Sequence, residues 1–208
     1  MWLYLIIGIN VLFTWQGLND ASFFQKNLFN VGAVKRGEYY RLITSGFLHA
    51  GWGHLLMNMI TLYFFFPVVQ NYLGTHAALA IYLGGLAGGN ALAYYFHRYD
   101  DWYSAVGASG AVNAVVFSSI MLFPSMAIFM PFPVPAWLYA IGYLLYSTFG
   151  MDRQQGNTGH EAHFGGAAVG LFLTLSVKPE LFQLHPVLSI ILIAVLIGGF
   201  GYVRSKKY

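Results

Sequence analysis

The chain has 208 residues, of which 58% are hydrophobic and only 8% charged. Soluble domains carry about 25% charged residues, so this composition excludes an ordinary soluble enzyme and indicates an integral membrane protein. The net charge of +3 comes from loops and the tail without clustering, which speaks against nucleic acid as a partner, and the lack of cysteine excludes thiol chemistry.

Seven apolar segments lie in chain order, at about 1–18, 54–73, 77–96, 103–123, 134–150, 161–177 and 187–203. Their lengths approach the ~20 residues that cross about 30 Å of hydrocarbon. The first has no basic start and no small-residue cleavage site before Asn19-Asp20. It is therefore expected to be a retained span and not a signal peptide. The connection 19–53 mixes Phe23, Phe24, Phe29, Tyr39, Tyr40, Phe47 and Trp52 with Lys26, Lys35, Arg36, Glu38 and Arg41. That blend fits a segment lying in the headgroup layer, and equally an aromatic belt.

The second segment opens with His54 and Asn58, four apart and so on one helix face. The third carries Gly84, Gly85, Gly88 and Gly89, two overlapping Gly-x-x-x-Gly patterns that let helices approach closely. The fourth contains Gly107-Ala108-Ser109-Gly110, with Asn113 one turn later. Pro124, Pro131, Pro133 and Pro135 then break the charge-free run, because proline lacks the amide proton a helix needs. The polar, glycine-rich connection 150–160 reads as a plain loop or as a mobile cover over the sixth segment. That segment starts with His163, with Gly166 and Gly170 on its next turns. The seventh ends in Arg204, Lys206 and Lys207, which mark a membrane flank.

If each segment crosses the bilayer, the second, fourth and sixth all begin at one face. Buried polar groups in lipid are costly and usually face a bundle interior. Taken singly, each is explained by a helix-to-helix hydrogen bond. Together, His54, Asn58, Ser109 and His163 make a site. A serine hydroxyl needs a base, and an imidazole with a pKa near 6.5 can take its proton and return it to a leaving amine. The Asn58 amide, the His54 ring and the Ser109 backbone amide are candidate donors to the oxyanion, each worth about 2.7–4 kcal/mol. Gly107 and Gly110 suit a bent backbone beside the nucleophile. Glu161 is too close in sequence to His163 to face it, so a dyad is expected. His160-Glu161-Ala162-His163 resembles a zinc protease motif, but Phe164 stands where its second histidine belongs. A set of His160, His163 and His54 is a weaker metal reading that leaves Ser109 unexplained.

These residues resemble the rhomboid family of intramembrane serine proteases. The resemblance rests on Gly107-Ala108-Ser109-Gly110, on His54-Leu55-Leu56-Met57-Asn58, and on Ala162-His163-Phe164-Gly165-Gly166 continuing to Gly170, spread over the second, fourth and sixth spans. Tyr40-Arg41 is similar to the family's Trp-Arg signature, and His49 falls where members often have histidine. The family commonly has tyrosine four residues after the serine, stacked on the histidine; this chain has Asn113, and a hydrogen bond from Asn113 to His163 is the expected substitute.

The resemblance implies an all-α, polytopic helical bundle. It has six core transmembrane helices in residues 1–180, with the long first loop 19–53, and a seventh helix with a basic tail in residues 181–208. It implies a serine endopeptidase with Ser109 as nucleophile and His163 as base. His54, Asn58 and the Ser109 amide form its oxyanion site; Gly107, Gly110, Asn113, Gly166, Gly170 and Arg41 support it. No cofactor or metal is expected. The expected partners are the lipid bilayer and membrane-anchored, single-span substrates with a small residue before the cut. The family places the first loop outside the cytoplasm, so a bacterial plasma membrane with the site opening outward is expected. The count of Lys26, Lys35, Arg36, Arg41, Arg98, Arg153 and the tail against Lys178 argues the reverse. A catalytically silent relative that binds membrane clients and a small transporter are the rival functions.

Overall fold

The computed structural model describes residues 1–130, 132–153 and 159–207. Long helices occupy all seven expected places: α1 (Trp2–Asn19), α5 (Trp52–Leu73), α6 (Thr75–His97), α7 (Ser109–Leu122), α8 (Ala136–Arg153), α9 (His160–Val177) and α11 (Pro186–Lys207). Between them lie α2 (Ala21–Asn27), α3 (Val31–Lys35), α4 (Arg41–Thr44) and α10 (Glu180–Leu184), with strands β1 (Phe29–Asn30), β2 (Ser104–Ala105), β3 (Ala127–Met130) and β4 (Phe132–Pro135). The helical-bundle expectation holds, with two small antiparallel strand pairs added.

Among the described residues, α5, α6 and α11 are long and apolar enough by themselves to cross a membrane. The fourth segment departs most from expectation. Its helix begins at Ser109, not near 103, and runs only 14 residues, about 21 Å at 1.5 Å per residue. That is short of the hydrocarbon thickness. α7 tolerates this because it is the central helix: every residue from Gly110 to Met121 is buried. Lipid does not solvate it, so an unwound approach at its start meets protein and a cavity.

Close packing around α7 comes from missing side chains. A Cβ on Gly166 would run into the backbone of Gly110, and one on Gly170 into Ala114. A Cβ on Gly89 would strike the Ala162 carbonyl. The glycine patterns of the third and sixth spans therefore clamp α6 and α9 against each other and both onto α7, where a Cβ on Gly85 would also run into Ala114. In the membrane such approach lets dispersion replace the hydrophobic drive that lipid removes.

The first loop folds into a compact cap, not a belt. Asp20 caps α2 by accepting from the amides of Ser22 (2.9 Å) and Phe23 (3.1 Å), bonds that hold its carboxyl below the usual range, the Phe23 bond first. Arg41 is buried and gives hydrogen bonds to the carbonyls of Gln25 (2.7 Å) and Leu28 (2.9 Å) and to Glu38 (2.8 Å). Its guanidinium keeps the Glu38 carboxyl below its normal value. Phe29 and Asn30 pair with Ala105 and Ser104, and Lys35 meets Asp101 at 2.6 Å. The cap thus grips the stretch leading into Ser109.

Candidate active site

Gly107 turns the chain into α7. Its φ of +130° is a region that side chains rarely adopt, and a Cβ there would sit 2.7 Å from the His54 ring. The Gly107 amide is held by the Ser45 carbonyl at 3.0 Å. The Ala108 amide donates to His49 Nε2 at 3.3 Å. Ser109 comes next as the first residue of α7, where helix amides lack intrahelical acceptors.

His163 lies one turn into α9. Its Nε2 is 2.7 Å from Ser109 Oγ, a short bond across 54 residues of sequence. The glycine contacts between α7 and α9 set this distance. Gly166 lies one turn beyond His163 and meets Gly110, the residue after Ser109.

Both side chains open onto a cavity of about 530 Å³. His54, Asn58, Gly107 and Ala105 share its wall, with Asn90, Tyr103 and Gly159. The Asn58 amide gives one hydrogen to the His54 carbonyl at 3.0 Å, which leaves its second hydrogen. His54 stands edge-on to His49, with centroids 4.9 Å apart. Burial pushes His49 down to about 3, with His54 adding to the effect.

The expected supporters Arg41, Gly110, Asn113, Gly166 and Gly170 lie outside the cavity wall. Arg41 is absent from the cavity wall and staples the cap. Asn113 does not hydrogen-bond His163 as expected; its amide donates back to the Ser109 carbonyl at 2.9 Å, a common choice for a polar side chain inside a helix. The ring stacked on His163 comes from Tyr143 of α8, 6.2 Å between centroids and 29° between planes. Gly166 and Gly170 act in packing. The expected cover 150–160 falls partly outside the described residues, at 154–158.

Sequence reading missed Tyr143, Asn90 and the link through His49. Asn90 of α6 donates to the Leu42 carbonyl at 2.8 Å and to Ser45 Oγ at 3.1 Å, fastening the cap above the cavity. An asparagine inside a glycine-rich apolar span was the available signal. It also missed a buried ionic cluster beside the site. Glu161 meets His97 at 2.9 Å and Lys207 at 3.3 Å, and His97 stacks on Tyr103 at 3.6 Å. As expected, Glu161 turns away from His163.

Comparison with known proteins points to one family. The rhomboid domain model matches residues 36–180. The chain is 30% identical over 195 residues to RHOMBOID-like protein 12, mitochondrial, of Arabidopsis thaliana, covering 86% of this chain and 58% of that one. It is 27% identical over 180 residues to rhomboid protein 1, mitochondrial, of Saccharomyces cerevisiae, covering 81% and 51%. It is 26% identical over 212 residues to the rhomboid protease GluP of Bacillus subtilis, covering 96% and 40%. The chain spans about half the length of these relatives. The matched domain runs from the cap through α9, the stretch that builds the cavity, and on that ground this integral membrane chain belongs to the rhomboid family.

Proposed function

We propose that the chain is an intramembrane serine endopeptidase working through a Ser109–His163 dyad. The observation that carries this reading is the 2.7 Å approach of His163 Nε2 to Ser109 Oγ at the wall of a cavity that His54, Asn58 and Asn90 also line. In the active tautomer His163 Nε2 accepts the Ser109 proton while Nδ1 keeps its own. The freed alkoxide attacks a substrate carbonyl carbon, and the carbonyl oxygen becomes negative. The Ser109 amide, the second hydrogen of the Asn58 amide and the His54 ring stabilise that oxygen. His163 then returns the proton to the leaving amine, the C–N bond breaks, and an acyl-serine remains. Water from the cavity repeats the sequence and frees Ser109.

The substrate is a membrane-anchored protein, read as single-span. Its helix must unwind first, because helical amides are already bonded internally. Residues that weaken helices are therefore expected near the cut, with a small side chain before the scissile bond. Residues 1–180 serve as the catalytic core, and 181–208 as a helix fastened to it. The cavity opens on the extracytoplasmic side of a plasma membrane. Among the relatives, GluP is named a rhomboid protease, which supports the chemistry, while others carry mitochondrial names.

The test is cleavage of a single-span reporter by purified protein in a bilayer. Wild type cuts once near the cavity face, mapped by mass spectrometry, and Ser109→Ala and His163→Ala do not. Cleavage that survives Ser109→Ala refutes the reading.

A further inference from the structure

We propose that His49 is a positioning residue: a neutral imidazole wedge that aims the Ser109 amide and props the His54 ring, so that both walls of the oxyanion site rest on one side chain. This role rests on the protease reading and adds a residue that the dyad chemistry does not use.

Hydrogen counting fixes the state of the ring. A backbone amide can only donate, so the Ala108 N–H at 3.3 Å requires a lone pair on His49 Nε2. A neutral imidazole has one N–H, which then sits on Nδ1. Nδ1 lies 3.0 Å from Thr14 Oγ1 and donates to it. The Thr14 hydroxyl passes its own hydrogen to the Phe47 carbonyl at 3.2 Å. Every donor in the relay meets an acceptor, and both side chains are fully buried. Such a closed network admits one ring orientation and one tautomer.

Two consequences reach the site. First, Ala108 carries the cap position of α7, where no side chain caps the helix. His49, 59 residues away in sequence, accepts the amide there instead. Fixing the Ala108 amide fixes the peptide plane that leads into Ser109. It also removes Ala108 from the pool of free donors, so the first unengaged amide of the turn is that of Ser109. Second, the edge-on contact at 4.9 Å supports the back of the His54 ring. Gly107, without a side chain, leaves the ring its place in front. The first helix enters through Thr14, so α1 has a role at the site although none of its residues lines the cavity.

The experiment measures kcat and KM on the single-span reporter for the full-length protein, with thermal stability recorded in parallel. Variants are His49→Phe, His49→Gln, Thr14→Val and Thr14→Ser. A mis-aimed donor set slows chemistry without weakening substrate binding, and a shift of about 1 Å can cost about 100-fold. His49→Phe is expected to lower kcat by about 10- to 100-fold with KM changed less than about twofold. His49→Gln keeps an acceptor near the Nε2 place and recovers most of that loss. Thr14→Val lowers kcat by several-fold, and Thr14→Ser matches wild type. A structural role alone moves stability and leaves kcat per folded molecule unchanged; that result overturns the proposal, as does a glutamine variant no better than phenylalanine. If His49→Phe does not fold, Thr14→Val decides: lowered kcat at constant KM supports the proposal, and unchanged kcat overturns it. Wild type without Ser109-dependent cleavage overturns both this inference and the protease reading, whereas active wild type with indifferent variants overturns this one alone.

Discussion

The imidazole of His163 is held from two directions, by a hydrogen bond to Ser109 and by the face of Tyr143. An aromatic pair of this kind is worth about 0.5–1.5 kcal/mol, or about 2- to 10-fold in rate. Tyr143→Leu is expected to lower kcat/KM by that factor, while Tyr143→Phe, which keeps the ring, stays near wild type. Asn113→Ala is expected to cost less than about threefold, since its side chain bonds the Ser109 carbonyl and the Tyr143 hydroxyl and not His163 itself. Equal losses for Tyr143→Leu and Asn113→Ala on the reporter would contradict this division of roles. His49 adds a pH signature. Its folded value is depressed from 6.5 to about 3, so below pH 6.5 the unfolded chain takes a proton that the fold refuses. Stability from this group is complete above 6.5 and is lost as pH falls toward 3. Denaturation midpoints measured across that window should fall more steeply for wild type than for His49→Gln, in which only groups such as His54 still titrate. Parallel curves would contradict the assignment.

At the scale of helices, the site is a by-product of packing. The small faces of α6 and α9 close on α7, and that closure places a serine and a histidine from different spans at bonding distance. Gly166→Val puts atoms where the Gly110 backbone lies. Overpacking of this kind costs about 1–3 kcal/mol. Because it separates the dyad, activity should fall by at least about 100-fold. Gly198→Val on α11, where nothing lies within 4 Å, should leave stability within about 0.5 kcal/mol. Comparable damage from both, measured by unfolding and by reporter cleavage, would contradict the packing account. This layer was largely legible in the sequence, because Gly-x-x-x-Gly spacing and polar residues inside apolar runs are local signals. The start of α7 was not. Hydropathy continues unbroken from Trp102 through Leu122, and only the distant acceptors Ser45 and His49 pull Gly107 and Ala108 out of the helix. Tyr143 was hidden for the same reason: nothing local marks one tyrosine of α8 as the ring that meets His163.

For the whole molecule, the cap changes how charge is read. Counted as loose residues, the lysines and arginines of the cavity face argue for a cytoplasmic location. Folded, Lys35 pairs with Asp101, Arg36 and Arg41 with Glu38, and Lys207 with Glu161. Arg98 bonds the Tyr95 carbonyl at 2.6 Å and lies over the Tyr95 and Tyr99 rings. Loops shorter than about 60 residues do count toward the positive-inside tendency, so these ion pairs offset part of the basic count but leave it opposed to the proposed extracytoplasmic placement, and labelling decides between the two. The chain has no cysteine, which makes a labelling test clean. Trp102→Cys, at a position 91% exposed, should react with an impermeant maleimide added to intact cells. Leu184→Cys, on the opposite face, should react only after lysis. The reverse pattern would contradict the placement.

One hydroxyl carries the proposed chemistry, and its reactivity can be read directly. Purified wild-type protein, treated with a fluorophosphonate probe and analysed by peptide mass spectrometry, should carry a single adduct on Ser109. The adduct should disappear in folded His163→Ala protein, which lacks the base. An unmodified Ser109 in folded wild type, or equal labelling of Ser109 without His163, would contradict the dyad.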